Sequence, residues 1–177
     1  MSITFLEKAS AAIRDVHDFP EPGVVFKDIT PLLLQPDLLE GVVKLMAEEF
    51  RNSNVEKVLA IESRGFIVGA PVALRLGVGL ALARKAGKLP WKRHRVEYAL
   101  EYGTDVIEVH VDSISAGERV VVVDDVLATG GTAQAAGRVV AEAGGELVGM
   151  GFLLELGFLN GRQKLPDVDV RALLSYP

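Results

Sequence analysis

The thirteen residues Val120–Thr132, VVVVDDVLATGGT, carry the densest set of groups able to do chemistry in this chain. Asp124 and Asp125 are adjacent carboxylates, and Thr129, Gly130, Gly131 and Thr132 follow them closely. Val120–Val123 are β-branched and apolar, which suits a buried strand of a parallel sheet. Ala133–Ala143 reads as a helix. Strand, acidic pair, glycine turn and helix make an anion site. The unpaired N–H groups of a first helical turn and the positive end of its dipole face the ligand together. Gly130 and Gly131 let the backbone turn tightly and come close, while Thr129 and Thr132 add hydroxyl donors. Carboxylates at the carboxyl end of such a strand lie where open α/β sheets bind ligands. One phosphate and two vicinal hydroxyls would satisfy the set, and a ribose 5-phosphate offers both.

No Gly-Lys-Ser/Thr closes the turn, so it is not a Walker A loop. A dinucleotide fingerprint would place its acidic residue about 20 positions after the glycines, not before them. A plain strand-to-helix turn with capping threonines would not need the acidic pair. Three other stretches carry chemistry. The strand Val55–Ile61 runs into Glu62, Ser63 and Arg64, ahead of a helix over Phe66–Leu76, and an Arg at a strand end is well set to meet an anion. After a strand at Gly79–Ala83, the residues Arg84, Lys85, Lys88, Lys92, Arg93 and Arg95 crowd together with Trp91 and His94. Like charges this dense repel one another and stay mobile until a polyanion arrives, and the loop can then close over it. Neither Trp91 nor His94 acquires a specific role. Finally, Asp18–Leu34 is broken by Pro20, Pro22 and Gly23, and holds a short extended apolar piece, Val24–Phe26, that Pro31 ends. Such a segment is either a packed loop or a hood able to sandwich a flat ligand.

The elements that position these groups alternate along the chain. Phe5–Val16 reads as an amphipathic helix, and Asp37–Phe50 as a second one with Asp37 as its cap. Val96–Leu100 and Asp105–Val111 pair as antiparallel strands around a turn at Tyr102–Thr104. Glu146–Leu154 and Val168–Leu174 are further strands, and Leu156–Leu159 with Gly161–Leu165 form a second piece of lid. The expected fold is α/β, a single three-layer domain over residues 1–177 with a mainly parallel central sheet. The length of 177 residues is enough for a real core. The net charge of −5 argues against a nucleic-acid partner, which calls for a basic surface. With no cysteine there is no disulfide framework, which fits a cytoplasmic setting. The first residues lack the pattern of a signal peptide, and the most apolar stretch, Gly65–Ala83, contains Pro71 and Arg75, so no membrane association is expected.

Taken in order, FPEPGVVFKDITPLL, ESRGF, RKAGKLP, YALEYG and VVVVDDVLATGGT resemble the motifs of the adenine phosphoribosyltransferases, and the resemblance spans nearly the whole chain. It implies the type I phosphoribosyltransferase fold, with a small N-terminal hood at 17–34 joined by 156–165, and a flexible catalytic flap at 84–101. It implies transfer of a phosphoribosyl group from 5-phosphoribosyl 1-pyrophosphate (PRPP) to N9 of adenine, giving AMP and pyrophosphate. Asp124 and Asp125 then bind the ribose hydroxyls, and Ala128, Thr129, Gly130, Gly131 and Thr132 bind the 5-phosphate. Arg64 holds pyrophosphate with Ser63 beside it, and Arg84, Lys85 and Lys88 help, in part across a dimer interface. Val25, Phe26 and Lys27 of the hood, with Val126 and Leu156, enclose adenine. The family favours Arg where this chain has Lys27, a change of little weight if backbone groups read the base. Glu101, a lone Glu by composition, becomes the group that manages the purine proton. Mg²⁺ is the implied cofactor, held mainly through PRPP with Asp124 and Asp125 as candidate ligands, and a homodimer is the implied assembly. The same cradle serves enzymes for hypoxanthine, guanine, xanthine or orotate, and non-catalytic PRPP-sensing regulators. A regulator would be expected to add a DNA-binding segment and to lose the basic run or Glu101, both of which are retained.

Overall fold

The structure is a computed structural model and describes residues 4–99 and 103–177; Glu101 lies outside the described residues. Helix α1 (Phe5–Ala11) opens on a reciprocal cap, in which the Thr4 hydroxyl accepts the Glu7 N–H and the Glu7 carboxylate accepts the Thr4 N–H. The predicted helix over Phe5–Val16 ends early. Strand β1 (Arg14–His17) instead pairs antiparallel with β2 (Val25–Asp28), and the Arg14 guanidinium binds the Asp28 carboxylate at 2.5 Å. That partner is fourteen residues away, so helical periodicity could not reveal it. Pro31 does not end an extended piece but lies in the first turn of α2 (Thr30–Leu33), where the missing N–H costs nothing. Helix α3 (Pro36–Glu49) likewise starts on a proline, and Asp37 lies in its first turn rather than at its cap.

The remaining elements are β3 (Lys57–Ile61), α4 (Arg64–Leu76), β4 (Gly79–Lys85), β5 (Arg93–Ala99), β6 (Thr104–His110), β7 (Arg119–Leu127), α5 (Gly131–Glu142), β8 (Glu146–Leu156) and β9 (Asp169–Tyr176). Seven strands form one sheet in the order β5-β6-β4-β3-β7-β8-β9. The five from β4 to β9 in that order are parallel, and the β5–β6 hairpin is attached to β4 antiparallel. The sheet is therefore mixed, with the parallel core expected from the alternating elements.

Burial on both faces explains the unbroken valine run of β7. Val121 and Val123 pack with Val58, Leu153 and Leu154 on the side of α3 and α4. Val120 and Val122 pack with Leu59, Ile61 and Phe152 on the side of α5. Helices thus cover the sheet from two sides, which makes three layers. Among the described residues no helix is long and apolar enough to cross a membrane. From β3 the chain steps outward to β4 through α4. From β7 it steps the other way to β8 through α5. The strand order reverses between β3 and β7, and a crevice opens there beyond their carboxyl ends.

Candidate active site

Glu62, Ser63 and Arg64 leave the end of β3 on one side of this crevice, and Asp124 and Asp125 lie on β7 at the other. β7 continues past the acidic pair to Leu127, because Asp124 and Val126 stay in register with Phe152 and Leu154 of β8. The acidic pair is thus held in a strand paired with β8 rather than carried on a loop. Arg64 Nε contacts Asp125 Oδ2 at 2.5 Å, which neutralises a carboxylate that is only 5% exposed. The Asp125 N–H donates to Asp124 Oδ1 at 2.8 Å. Burial, and then the negative charge of Asp125, push the Asp124 carboxyl well above the usual carboxylate range. Gly65 allows this crowding, since a Cβ there would stand 2.6 Å from Asp124 Oδ1.

A cleft of about 670 Å³ follows the crevice. Its floor is Asp124, Asp125, Val126 and Ala128, and Thr132 lies at one end. Val25, Phe26 and Lys27 of β2 line it as well, together with Leu156 at the end of β8 and Leu159 beyond it. The Arg64 guanidinium lies 5.2 Å from the centre of the Phe26 ring, joining the hood to the acidic pair. The Lys27 side chain is occupied elsewhere, with Nζ 2.6 Å from Asp15 Oδ1 and 4.3 Å from the Tyr176 ring centre.

A smaller hollow of about 90 Å³ shares Asp124, Val126, Ala128 and Thr132 with the cleft and adds Thr129, Gly130 and Gly131. It lies at the N-terminus of α5, where first-turn N–H groups are available to an anion. Gly130 has φ +79°, and a Cβ on it would lie 2.2 Å from the Gly161 carbonyl oxygen. A Cβ on Gly161 would in turn lie 2.0 Å from the Ala128 oxygen. The segment Gly161–Lys164 therefore touches the turn before α5 backbone to backbone, and only glycines permit it.

The most basic stretch is more ordered than mutual repulsion suggests. Arg84 and Lys85 belong to β4 and Arg93–Ala99 to β5, so the flap expected at 84–101 is in large part a paired hairpin. Its charges are matched by acids brought in from elsewhere in the fold. Arg84 Nε meets Glu62 at 2.8 Å, Lys85 meets Asp105 at 3.3 Å, and Arg93 meets the buried Glu108 at 2.8 Å. Of the basic residues expected at pyrophosphate, Lys85 lines the cleft; Arg84 and Lys88 are not among its lining residues. Trp91 sets its ring edge-on to His110, and His94 lies in register with Val109.

Residues 29–172 match the pattern of the phosphoribosyl transferase domain. The chain is 54% identical to the adenine phosphoribosyltransferase of Acidothermus cellulolyticus, with 95% of each chain covered. It is 53% identical to that of Myxococcus xanthus, covering 98% of this chain and 94% of the relative. The crystal structure of the Rhodothermus marinus adenine phosphoribosyltransferase superposes with a TM-score of 0.93 at 51% identity, covering 97% and 98% of the two chains. This chain belongs to the adenine phosphoribosyltransferase family. The Saccharomyces cerevisiae adenine phosphoribosyltransferase, complexed with an imino-altritol bisphosphate and adenine, superposes with a TM-score of 0.91 at 37% identity, covering 96% of this chain and 98% of its own.

For an adenine phosphoribosyltransferase, the sequence-derived residues fall into three groups in space. Val25, Phe26, Lys27, Ser63, Arg64, Lys85, Asp124, Asp125, Val126, Ala128, Thr132 and Leu156 line the cleft. Thr129, Gly130 and Gly131 line the adjoining hollow. Arg84 and Lys88 line neither, and the Arg84 guanidinium donates to the Lys88 carbonyl at 3.3 Å. Sequence reasoning missed Glu62, Tyr98, Asp105 and Leu159 as lining residues, and Gly161 behind the turn. Glu62 stood beside a residue already singled out. Tyr98 opens the YALEYG motif without a role being drawn from it, and Asp105 had no local signal; strand register places the two opposite each other.

Proposed function

We propose that the crevice between β3 and β7 is the site at which this chain performs its reaction. The chain is an enzyme that transfers the phosphoribosyl group of PRPP to adenine, forming AMP and pyrophosphate. The observation that carries the site assignment is the convergence of Arg64, the Asp124–Asp125 pair and the α5 turn at one topological switch point. The adenine and bisphosphate held by the yeast relative are the kinds of molecule such a cleft would take.

In the reaction the bond from ribose C1 to pyrophosphate breaks, the bond from C1 to adenine N9 forms, and the N9 proton leaves. Positive charge grows on the sugar while negative charge grows on the leaving group. The protein's part is to hold both partners in line and to stabilise those charges. The turn from Ala128 to Thr132 grips the 5-phosphate, a remote handle whose binding energy orients the reacting carbon. Asp124 and Asp125 hold the ribose hydroxyls, and Asp125 places negative charge beneath the sugar. Arg64, Ser63 and Lys85 receive pyrophosphate, with Arg84 and Lys88 supporting that wall. For Arg64 this means exchanging its Asp125 partner for phosphate oxygens, a change suited to a guanidinium 40% exposed. Val25, Phe26, Lys27, Val126 and Leu156 enclose the base, and Glu101 takes the N9 proton.

Mg²⁺ belongs to this reading. Two adjacent carboxylates on the cleft floor are oxygen donors of the type it prefers. Among the described residues no group of three or more acidic, His or Cys side chains gathers to cage an ion, so substrate oxygens would supply further ligands. When bound, the ion neutralises charge on the pyrophosphate. Residues 1–177 act as one domain, with the hood at 17–34 and 156–165 and the flap at 84–101. The enzyme works as a homodimer, a reading supported by exposed apolar side chains on α4 (Ile67, Leu74) and β4 (Leu80, Leu82).

The test is incubation with PRPP, Mg²⁺ and each purine base in turn. Adenine should give AMP and pyrophosphate at a rate at least ~10²-fold above hypoxanthine or guanine, a margin expected of a site built to hydrogen-bond one base edge. Equal turnover of another base would overturn the adenine assignment.

A further inference from the structure

Tyr98 and Asp105 face each other across the β5–β6 hairpin, and both line the cleft. The Thr132 hydroxyl lies 3.3 Å from the Tyr98 hydroxyl, which lies 3.3 Å from Asp105 Oδ2. The same Asp105 oxygen is 3.3 Å from Lys85 Nζ, and Asp105 Oδ1 accepts the Val106 N–H at 2.8 Å. One carboxylate thus joins a residue of the phosphate turn to a cation on the cleft wall. We propose that Tyr98 and Asp105 are positioning residues, a relay that sets the Thr132 hydroxyl for the 5-phosphate and holds Lys85 in place for pyrophosphate. This rests on the transferase reading of the cleft.

Hydrogen-bond direction follows from the chemistry of the groups. A carboxylate only accepts, so the Tyr98 proton points to Asp105 and the Tyr98 oxygen accepts the Thr132 proton. Burial raises the Tyr98 phenol above its ordinary range, which keeps that proton in place at neutral pH. A phosphate in the cradle accepts as well, and it must draw the Thr132 proton away from Tyr98. The contacts allow this, because 3.3 Å is longer than the ~2.8 Å usual for a hydroxyl bond. Tyr98 then keeps Thr132 within reach without competing strongly for its proton. Its bond to Asp105 also pins the hairpin at the rung next to the one that leads into residues 100–102.

Tyr98→Phe deletes one oxygen from a side chain that is 6% exposed and keeps its packing. Ribose 5-phosphate should then bind ~3- to 10-fold more weakly by calorimetry, because the free Thr132 side chain loses the partner that keeps it turned toward the cradle, an effect on the scale of one neutral hydrogen bond. Pyrophosphate binding should stay within ~2-fold of wild type, since the Lys85–Asp105 pair is intact. In steady state KM for PRPP should rise while KM for adenine and the melting temperature hold. Asp105→Ala should weaken both ligands, and the double variant should bind ribose 5-phosphate no more weakly than Asp105→Ala alone, because both changes cut one chain. If Asp105→Ala does not fold, Tyr98→Phe decides the matter. Unchanged ribose 5-phosphate affinity in Tyr98→Phe, additive losses in the double variant, or parallel loss of both ligands and melting temperature in Tyr98→Phe would each overturn the relay. Wild-type protein that binds neither ligand would instead overturn the transferase reading itself.

Discussion

A carboxyl set beside a second carboxyl and crowded by the start of α4 holds its proton late, and Asp124 is in that position. Its folded-state pKa is raised, so its burden on the fold is absent below the unfolded value of 3.8 and grows as pH rises toward the folded value. Asp124→Asn should therefore melt above wild type at pH 7, with little difference near pH 4. The same change should lower kcat/KM by ~10²-fold, because an amide in place of the carboxyl alters the hold on the ribose hydroxyls and misplaces the reacting carbon. Thermal melts at the two pH values check the first claim and initial rates the second. At Gly130 the restriction is geometric. Gly130→Ala has to adopt φ +79° and push a methyl against the Gly161 carbonyl, so it should cost ~1–3 kcal/mol of stability and raise KM for PRPP. A chemical melt and a PRPP titration would show a misplaced strain if neither moves.

At the scale of elements, the anchor of the hood is the β1–β2 hairpin. The Thr30 N–H and then the Arg14 guanidinium pull Asp28 down to about 2 from its ordinary 3.8. A depressed carboxyl stabilises the fold above its unfolded pKa, and that contribution fades as pH falls from near 4 toward 2. Asp28→Asn should remove this part of the acid dependence, leaving a flatter melting curve against pH in that window. Adenine binding should weaken with it, because β2 carries Val25, Phe26 and Lys27. Much of the element pattern was legible. The valine run of β7, the glycine turn and the helix after it have local causes, and the hairpin before it showed alternation. What escaped was pairing at a distance. β1 replaced the end of a predicted helix because its partner lies beyond two prolines. The basic run looked unbalanced because Glu62, Asp105 and Glu108 approach it only through the fold of β3, β4 and β6.

The whole molecule brings together groups that are distant in sequence. Arg64 and Asp125 are 61 residues apart and meet because β3 and β7 are neighbours in the sheet. No spacing rule shows this, although each residue drew notice separately from its place at a strand end. The exposed leucines of β4 and α4 belong to this scale as well. Sedimentation should show a dimer, and Leu82→Glu should shift it toward monomer without unfolding the chain; a monomeric wild type would remove the homodimer from the account. The central claim is that one sugar phosphate lies across the crevice between β3 and β7. The most direct test is a crystal structure with AMP. The 5-phosphate should sit among the N–H groups of the turn after Leu127, the ribose hydroxyls against Asp124 and Asp125, and the base beneath Phe26. A nucleotide bound elsewhere, with Arg64 still paired to Asp125 over an unfilled cleft, would contradict it.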